Sequence, residues 1–281
     1  MSSPIIFGHK CSLIPRIAVF DSGVGGLLIL KPLLLSYSAH YIYLADATNM
    51  PYGNKSPQEI TALTLRAITF LESYKPDLII IACFTATAIA LADLQKKIST
   101  PLLGMIELVA PYAVKATRNN QIGVLSTRAT ANSYKITQAI QALNPTLTTI
   151  EQACPLLASA IENRHSLNKI LQLIKKYIAP LQEAKVDTIL LGCTHYEALR
   201  EVISGCLNKQ ITLIGAADTI EQTVRSLPYL SNPQTTNSIN NLELQLIITG
   251  SVKSTLYTNF LKKNLPNLRV TLLRFSHKNP F

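Results

Sequence analysis

The sequence predicts an α/β protein of two pseudosymmetric domains, each a mainly parallel sheet flanked by helices, with its site in the interdomain cleft. Three observations lead there. Apolar, β-rich segments alternate with helical patterns almost from end to end, as parallel strands joined by helical crossovers do. The strand segments are apolar throughout rather than alternating, which fits sheets covered on both faces. The chain also repeats itself. KPDLIIIACFTATAIAL, from Lys75, lies over KVDTILLGCTHYEAL, from Lys185, so that Asp77 falls on Asp187, Ile79 on Ile189 and Cys83 on Cys193, 110 residues on. IAVFDS (17–22) matches IGVLST (122–127) at an offset of 105.

In order, RIAVF (16–20) reads as a strand, DSGVGG as a Gly-rich turn, and a helix follows from about Gly26. YIYLAD (41–46) is the next strand. SPQE (56–59) starts a helix, with Ser56 as cap, Pro57 in the first turn and Glu59 closing a capping box. Further strands are expected at 77–81, 102–106, 122–126, 148–152, 188–192 and 212–216. LELQLIIT (242–249) and LRVTLLR (268–274) flank a helix around 251–265, and the polar stretch 228–241 reads as a surface loop. The repeat divides the chain into a first domain of 1–107 with 217–281, carrying Asp21, Tyr52 and Cys83. The second, 108–216, carries Glu162, Cys193 and His195.

At 281 residues, 48% of them apolar and 15% charged, the chain is globular rather than disordered. MSSPIIFGHKCSLIPR lacks the apolar core of a secretory signal, so a cytoplasmic location is expected. The most apolar window, Leu78 to Leu91, is shorter than the ~20 residues that cross a bilayer, and no membrane contact is expected. Cysteines 11, 83, 154, 193 and 206 are odd in number and widely spaced, which argues for reduced thiols. The formal charge of +10 is scattered over helix ends such as 95–97, 175–176 and 262–263. It shows no nucleic-acid module, so we expect no nucleic-acid partner but a surface that suits anionic substrates.

In open parallel sheets ligands bind beyond the carboxyl ends of strands. Cys83 and Cys193 both lie there, each ahead of a helical pattern whose unpaired N–H groups favour thiolate over thiol. Two thiols facing one carbon from opposite sides suit racemisation: one removes a proton and the other returns one to the opposite face. Either Cys alone could be a small buried hydrophobe; the matched pair beside FT and THY argues for chemistry.

IAVFDSGVGGLLIL, YLADATNMPYGNKS, IIIACFTATAIAL, IGVLSTRATANSY, CPLLASAIE and ILLGCTHYEAL resemble the glutamate racemase family, in order and approximate spacing, over about residues 16 to 220. The resemblance implies a cofactor-independent, metal-free enzyme that converts L-glutamate to D-glutamate for peptidoglycan. It implies Cys83 and Cys193 as the acid/base thiols, Asp21 near Cys83, and His195 with Glu162 supporting Cys193. Asp21, Ser22, Tyr52, Gly53, Thr85, Thr194 and His195 are the implied substrate contacts, with Thr127 and Thr130 beside them. It also admits a homodimer and regulation by a peptidoglycan precursor.

Read without the resemblance, Asp21 is a helix cap, PYG (51–53) a turn, and Glu162 an exposed residue of an amphipathic stretch. The DSGVGG turn would offer backbone N–H groups to a carboxylate. His195 would lie in a loop as a proton partner two residues past Cys193. The family has Asn immediately after the first Cys, where this chain has Phe84. Phe neither donates nor accepts a hydrogen bond, so reduced glutamate turnover is expected. The rival readings are an aspartate racemase, a weakened relative that only binds, and a Cys–His hydrolase that would need Cys193 and His195 alone.

Overall fold

The computed structural model describes residues 14–227, 243–250 and 255–275. Cys11 and the loop expected over 228–241 lie outside the described residues. The order begins β1 (Arg16–Asp21), α1 (Gly26–Ser36), β2 (His40–Ala45), a 3₁₀ turn (Tyr52–Asn54), α2 (Pro57–Glu72), β3 (Leu78–Ile81) and α3 (Phe84–Leu94). Next come β4 (Leu102–Gly104), α4 (Met105–Ala116), β5 (Gln121–Ser126), α5 (Arg128–Ser133), α6 (Lys135–Leu143), β6 (Thr148–Ala153) and α7 (Leu157–Glu162). Then follow α8 (Leu167–Glu183), β7 (Thr188–Gly192), a 3₁₀ segment (Thr194–Leu199), α9 (Arg200–Cys206), β8 (Thr212–Ile214) and α10 (Ile220–Ser226). The last described elements are β9 (Glu243–Thr249), α11 (Thr255–Asn264) and β10 (Arg269–Phe275).

These strands form two parallel sheets, one in the order β10-β9-β2-β1-β3-β4 and one in the order β6-β5-β7-β8. The second sheet reproduces the β2-β1-β3-β4 part of the first. Its two central strands carry the repeated segments: β1 answers to β5, and β3 to β7. The recurring Lys-x-Asp has a physical cause in each copy. Lys75 and Lys185 both turn the chain through the left-handed region, at φ 51 and φ 56. Asp77 then accepts the Arg16 N–H at 2.8 Å, and Asp187 accepts the Arg118 and Asn119 N–H groups at 2.6 and 2.7 Å. Each carboxylate therefore fastens its strand to the segment that opens the neighbouring one.

The start of α2 is as read: Ser56 Oγ accepts the Glu59 N–H at 3.3 Å and Glu59 Oε2 accepts the Ser56 N–H at 3.0 Å. Two expected strands are shorter. The strand expected to reach residue 106 ends at Gly104, because Met105, Ile106, Leu108 and Val109 bury one face of α4 instead. A short apolar run fits strand or helix equally, and only packing separates them. The strand expected to reach residue 216 ends at Ile214, where the Asp218 carboxylate takes the Gly215 N–H at 3.1 Å and starts a turn.

The largest apolar cluster joins both sheets, with Ile17, Val19, Leu30 and Ile80 on one side and Val124, Ile136 and Leu190 on the other. Outer clusters cover the remaining faces, under α2 and α3 in one lobe and under α8 in the other. Among the described residues no helix is long and apolar enough to cross a membrane.

Glu151 is a site of internal strain. It stands part-buried on β6, with Oε1 taking the Thr137 N–H and hydroxyl at 3.2 and 3.0 Å, while Oε2 has no partner. Burial, against those two bonds, pushes its carboxyl up to about 7 from 4.5. The folded chain then keeps a proton that the unfolded chain has released, so stability falls as pH rises from about 4.5 to about 7 and stays lower above. Glu151→Gln is expected to gain roughly 1–2 kcal/mol at pH 8 and nothing at pH 4 in denaturant unfolding. An equal effect at both pH values would refute the cause.

Candidate active site

Every strand that ends at the site delivers one residue just past its carboxyl end: Ser22 after β1, Cys83 two past β3, Thr127 after β5, Cys154 after β6 and Cys193 after β7. These residues line one cleft with Met50, Pro51, Tyr52, Gly53, Asn54, Phe84, Thr85, Pro155, Ala158, Thr194 and His195. The two matched thiols therefore face a common space, one from each lobe.

Around Cys83, Ser22 Oγ stands 3.6 Å from Sγ. Cys83 is the N-cap of α3, yet the helix start does not prevail. Burial first, then the Asp21 charge, push the thiol up to about 12, against the lowering effects of the Ala86 N–H and the Ser22 hydroxyl. Cys83 is thus a thiol at rest, contrary to the expectation that its helix favours thiolate. Asp21 is fully buried and does not line the cleft. Burial raises its carboxyl to about 6, with the His195 charge, the Gly23 N–H at 2.8 Å and the Thr194 hydroxyl at 3.0 Å all pulling it down. It does not cap α1, whose N-cap is Gly25 without a side-chain bond.

Around Cys193 the local structure also departs from expectation. His195 sits inside a 3₁₀ segment rather than a loop, and α9 begins only at Arg200. Cys193 therefore has no α-helix immediately behind it. What it has is a relay: Sγ lies 3.9 Å from His195 Nδ1, and His195 Nε2 lies 2.7 Å from Glu162 Oε1. Burial alone would lower the imidazole's pKa, but Cys193, Glu162 and Asp21 outweigh it and hold the ring charged well above its ordinary range. Burial would likewise raise Glu162, but the His195 bond and charge and the Val24 N–H bring it below its ordinary value. The Glu162 side chain is 7% exposed, so the exposed-face reading of that residue is corrected.

Several of these contacts run between lobes. Glu162 Oε1 accepts the Val24 N–H at 3.2 Å, and Thr194 bonds Asp21. The Gly23 and Val24 amides, expected to await a ligand carboxylate, are thus engaged by Asp21 and Glu162. A Cβ at Gly25 would stand 2.8 Å from the His195 backbone nitrogen, so only glycine permits this approach. Across the cleft Thr85, Thr127 and Thr130 form a triangle of hydroxyls 2.9 to 3.2 Å apart. Thr130 is fully buried behind the other two and lines nothing. Tyr52 turns its hydroxyl away, to Asp46 at 2.7 Å, and presents Gly53 to the cleft. Phe84 lines the cleft while packing with Ala88, Met105 and Val109 in the interlobe core. Sequence reasoning named no role for Met50, Asn54, Cys154, Pro155 and Ala158, since Cys154 and Asn54 have no counterpart in the repeat and the other three carry no chemical signal. Among the described residues no cluster of metal-ligating side chains occurs.

Known proteins share this chain's sequence and fold. The Asp/Glu/Hydantoin racemase family matches residues 35–223. The chain is 38% identical over 211 residues to the glutamate racemase of Geobacter metallireducens, covering 74% of this chain and 77% of that one. Its fold is similar to a glutamate racemase isoform of Bacillus anthracis, with TM-score 0.82 and 29% identity over 94% of this chain and 99% of that one. Escherichia coli glutamate racemase, solved with L-glutamate and the activator UDP-MurNAc-ala, matches with TM-score 0.73 and 25% identity over 95% and 100% of the two chains.

Proposed function

The chain belongs to the Asp/Glu/Hydantoin racemase family and is an amino-acid racemase, and from that premise we propose that it interconverts L- and D-glutamate with two thiols. The observation that carries the reading is the placement of Cys83 and Cys193, at matching strand ends of two repeated units, on one cleft. The division into 1–107 with 217–281 and 108–216 is part of it, each unit giving one thiol.

Cys193 removes the α-proton from one face of the bound amino acid. Cys83, held as a thiol by burial and Asp21, gives its proton to the other face. In the reverse direction the roles exchange. The charged His195 ring steadies negative charge on the Cys193 sulfur 3.9 Å away, and Glu162 holds the ring in place. Positioned proton transfer supplies about 10²–10⁴-fold. The remainder comes from hydrogen bonds to the α-carboxylate as negative charge spreads onto it. Ser22 and Thr85 offer hydroxyls for this at the cleft wall, and a bound carboxylate would replace the bonds of the threonine triangle. No step calls for a cofactor or metal. We place the reaction in the cytoplasm, supplying D-glutamate to peptidoglycan, with a precursor of that polymer as the candidate regulator by analogy with the E. coli enzyme.

The test is L-glutamate incubated with the chain in D₂O. The expected product is D-glutamate with solvent deuterium at the α-carbon. L-aspartate is the second arm, since Phe84 stands where the family's Asn would meet substrate, and turnover of aspartate alone would move the assignment there. Phe84→Asn is expected to raise glutamate kcat/KM by about 2–10-fold, the worth of one hydrogen bond. It should also lower Tm, because a buried phenyl is lost from the interlobe core. No gain in kcat/KM would remove this position from substrate recognition.

A further inference from the structure

Asp46 follows β2 directly, is fully buried, and does not line the cleft. Both of its carboxylate oxygens are nonetheless engaged. Oδ1 accepts the Thr249 hydroxyl at 2.8 Å and Asn49 Nδ2 at 3.0 Å. Oδ2 accepts the Tyr52 hydroxyl at 2.7 Å and the same Asn49 amide at 2.9 Å. Thr249 Oγ1 also accepts the Thr48 N–H at 3.1 Å. All these hydrogen-bond partners are neutral, so the carboxylate acts here as a hub of acceptors rather than as half of an ion pair.

Everything it holds leads to one wall of the cleft. The Tyr52 ring is anchored beneath the loop, 6.2 Å from the Phe20 ring. Next to it Gly53 lies so close to the other lobe that an added Cβ would stand 2.5 Å from Thr127 Cβ. Met50, Pro51 and Asn54 complete the same wall. The remaining fastening point, Thr249, ends β9, which joins the first sheet only after the chain has built the second.

We propose that Asp46 is a positioning residue for the reaction: it fixes the Met50–Asn54 wall at the distance the substrate requires, and Thr249 fixes Asp46. What the wall binds rests on the racemase reading; the fastening itself does not. A carboxylate that only held the fold together would affect Tm and leave the Michaelis constant alone.

The experiment uses the full chain and three variants, Thr249→Val, Thr249→Ser and Asp46→Asn, with two readouts. One is amide hydrogen exchange over 47–54, with β5 as internal reference. The other is KM and kcat for glutamate. Thr249→Val is expected to speed exchange over 47–54 by about 10-fold and leave β5 unchanged. It should raise KM by about 5–10-fold with kcat within about 2-fold, the pattern of lost uniform binding. Thr249→Ser, which keeps the hydroxyl, should restore both. Asp46→Asn should exceed Thr249→Val in both readouts; if it does not fold, the Thr249 pair decides. Unchanged exchange overturns the fastening, and faster exchange with unchanged KM overturns the link to substrate. A wild type that racemises nothing overturns the functional reading instead, and exchange still decides the fastening.

Discussion

Cys83→Ala and Cys193→Ala are each expected to lower glutamate racemisation by about 10²–10⁴-fold, the worth of a positioned acid/base group. On the proposed mechanism, where one turnover passes through both sulfurs, the two losses should be far from additive. Cys206→Ala, on α9 and away from the cleft, should stay within about 2-fold. Solvent exchange in D₂O gives the sharper measurement. With one thiol left, a proton can still leave and return on the same face. Each variant should therefore wash deuterium into one enantiomer without inverting it, and the two variants should choose opposite enantiomers. If both chose the same enantiomer, the sulfurs would not flank the substrate. A Cys83→Ala chain that racemised as well as the wild type would take Cys83 out of the proposed chemistry.

His195→Asn should cost about 10²-fold in kcat/KM, since it removes the charged ring that faces the Cys193 sulfur at 3.9 Å. The loss must be equal in both directions, because the two enantiomers have equal free energy and no variant can shift their equilibrium. Glu162→Gln should cost only about 10-fold: its contact is with the ring and the Val24 N–H, not with the cleft. A double variant no worse than His195→Asn alone would place Glu162 behind His195 in one relay. Fully multiplied losses would mean that Glu162 acts by another route, for instance by closing the lobes through Val24.

Much of the frame was readable before any coordinates. The central strands of both sheets, the capping box at Ser56 and the equivalence of Cys83 with Cys193 all follow from short-range patterns of side-chain type. Such patterns fix a strand or a helix start because the forces involved act over a few residues. They failed where a short apolar run suits two structures. The expected strand through Met105 and Ile106 became the first turn of α4 for that reason. Read from its own stretch alone, Glu162 was misplaced for a related reason. On its own stretch it looks like a solvent-facing residue, and nothing local reveals a histidine 33 positions later at 2.7 Å.

Composition, periodicity and self-similarity thus settled that this chain builds two like parallel units and sets a thiol at the same strand end in each. The protonation of Cys83 and the surroundings of Cys193 were settled elsewhere. Burial and Asp21 override the helix start at Cys83, while Cys193 draws on a relay assembled from two distant segments. Thr249, likewise, reaches Asp46 across 203 residues of chain. These are matters of dielectric and of distance between groups remote in sequence, and neither exists until the two sheets have packed against one core.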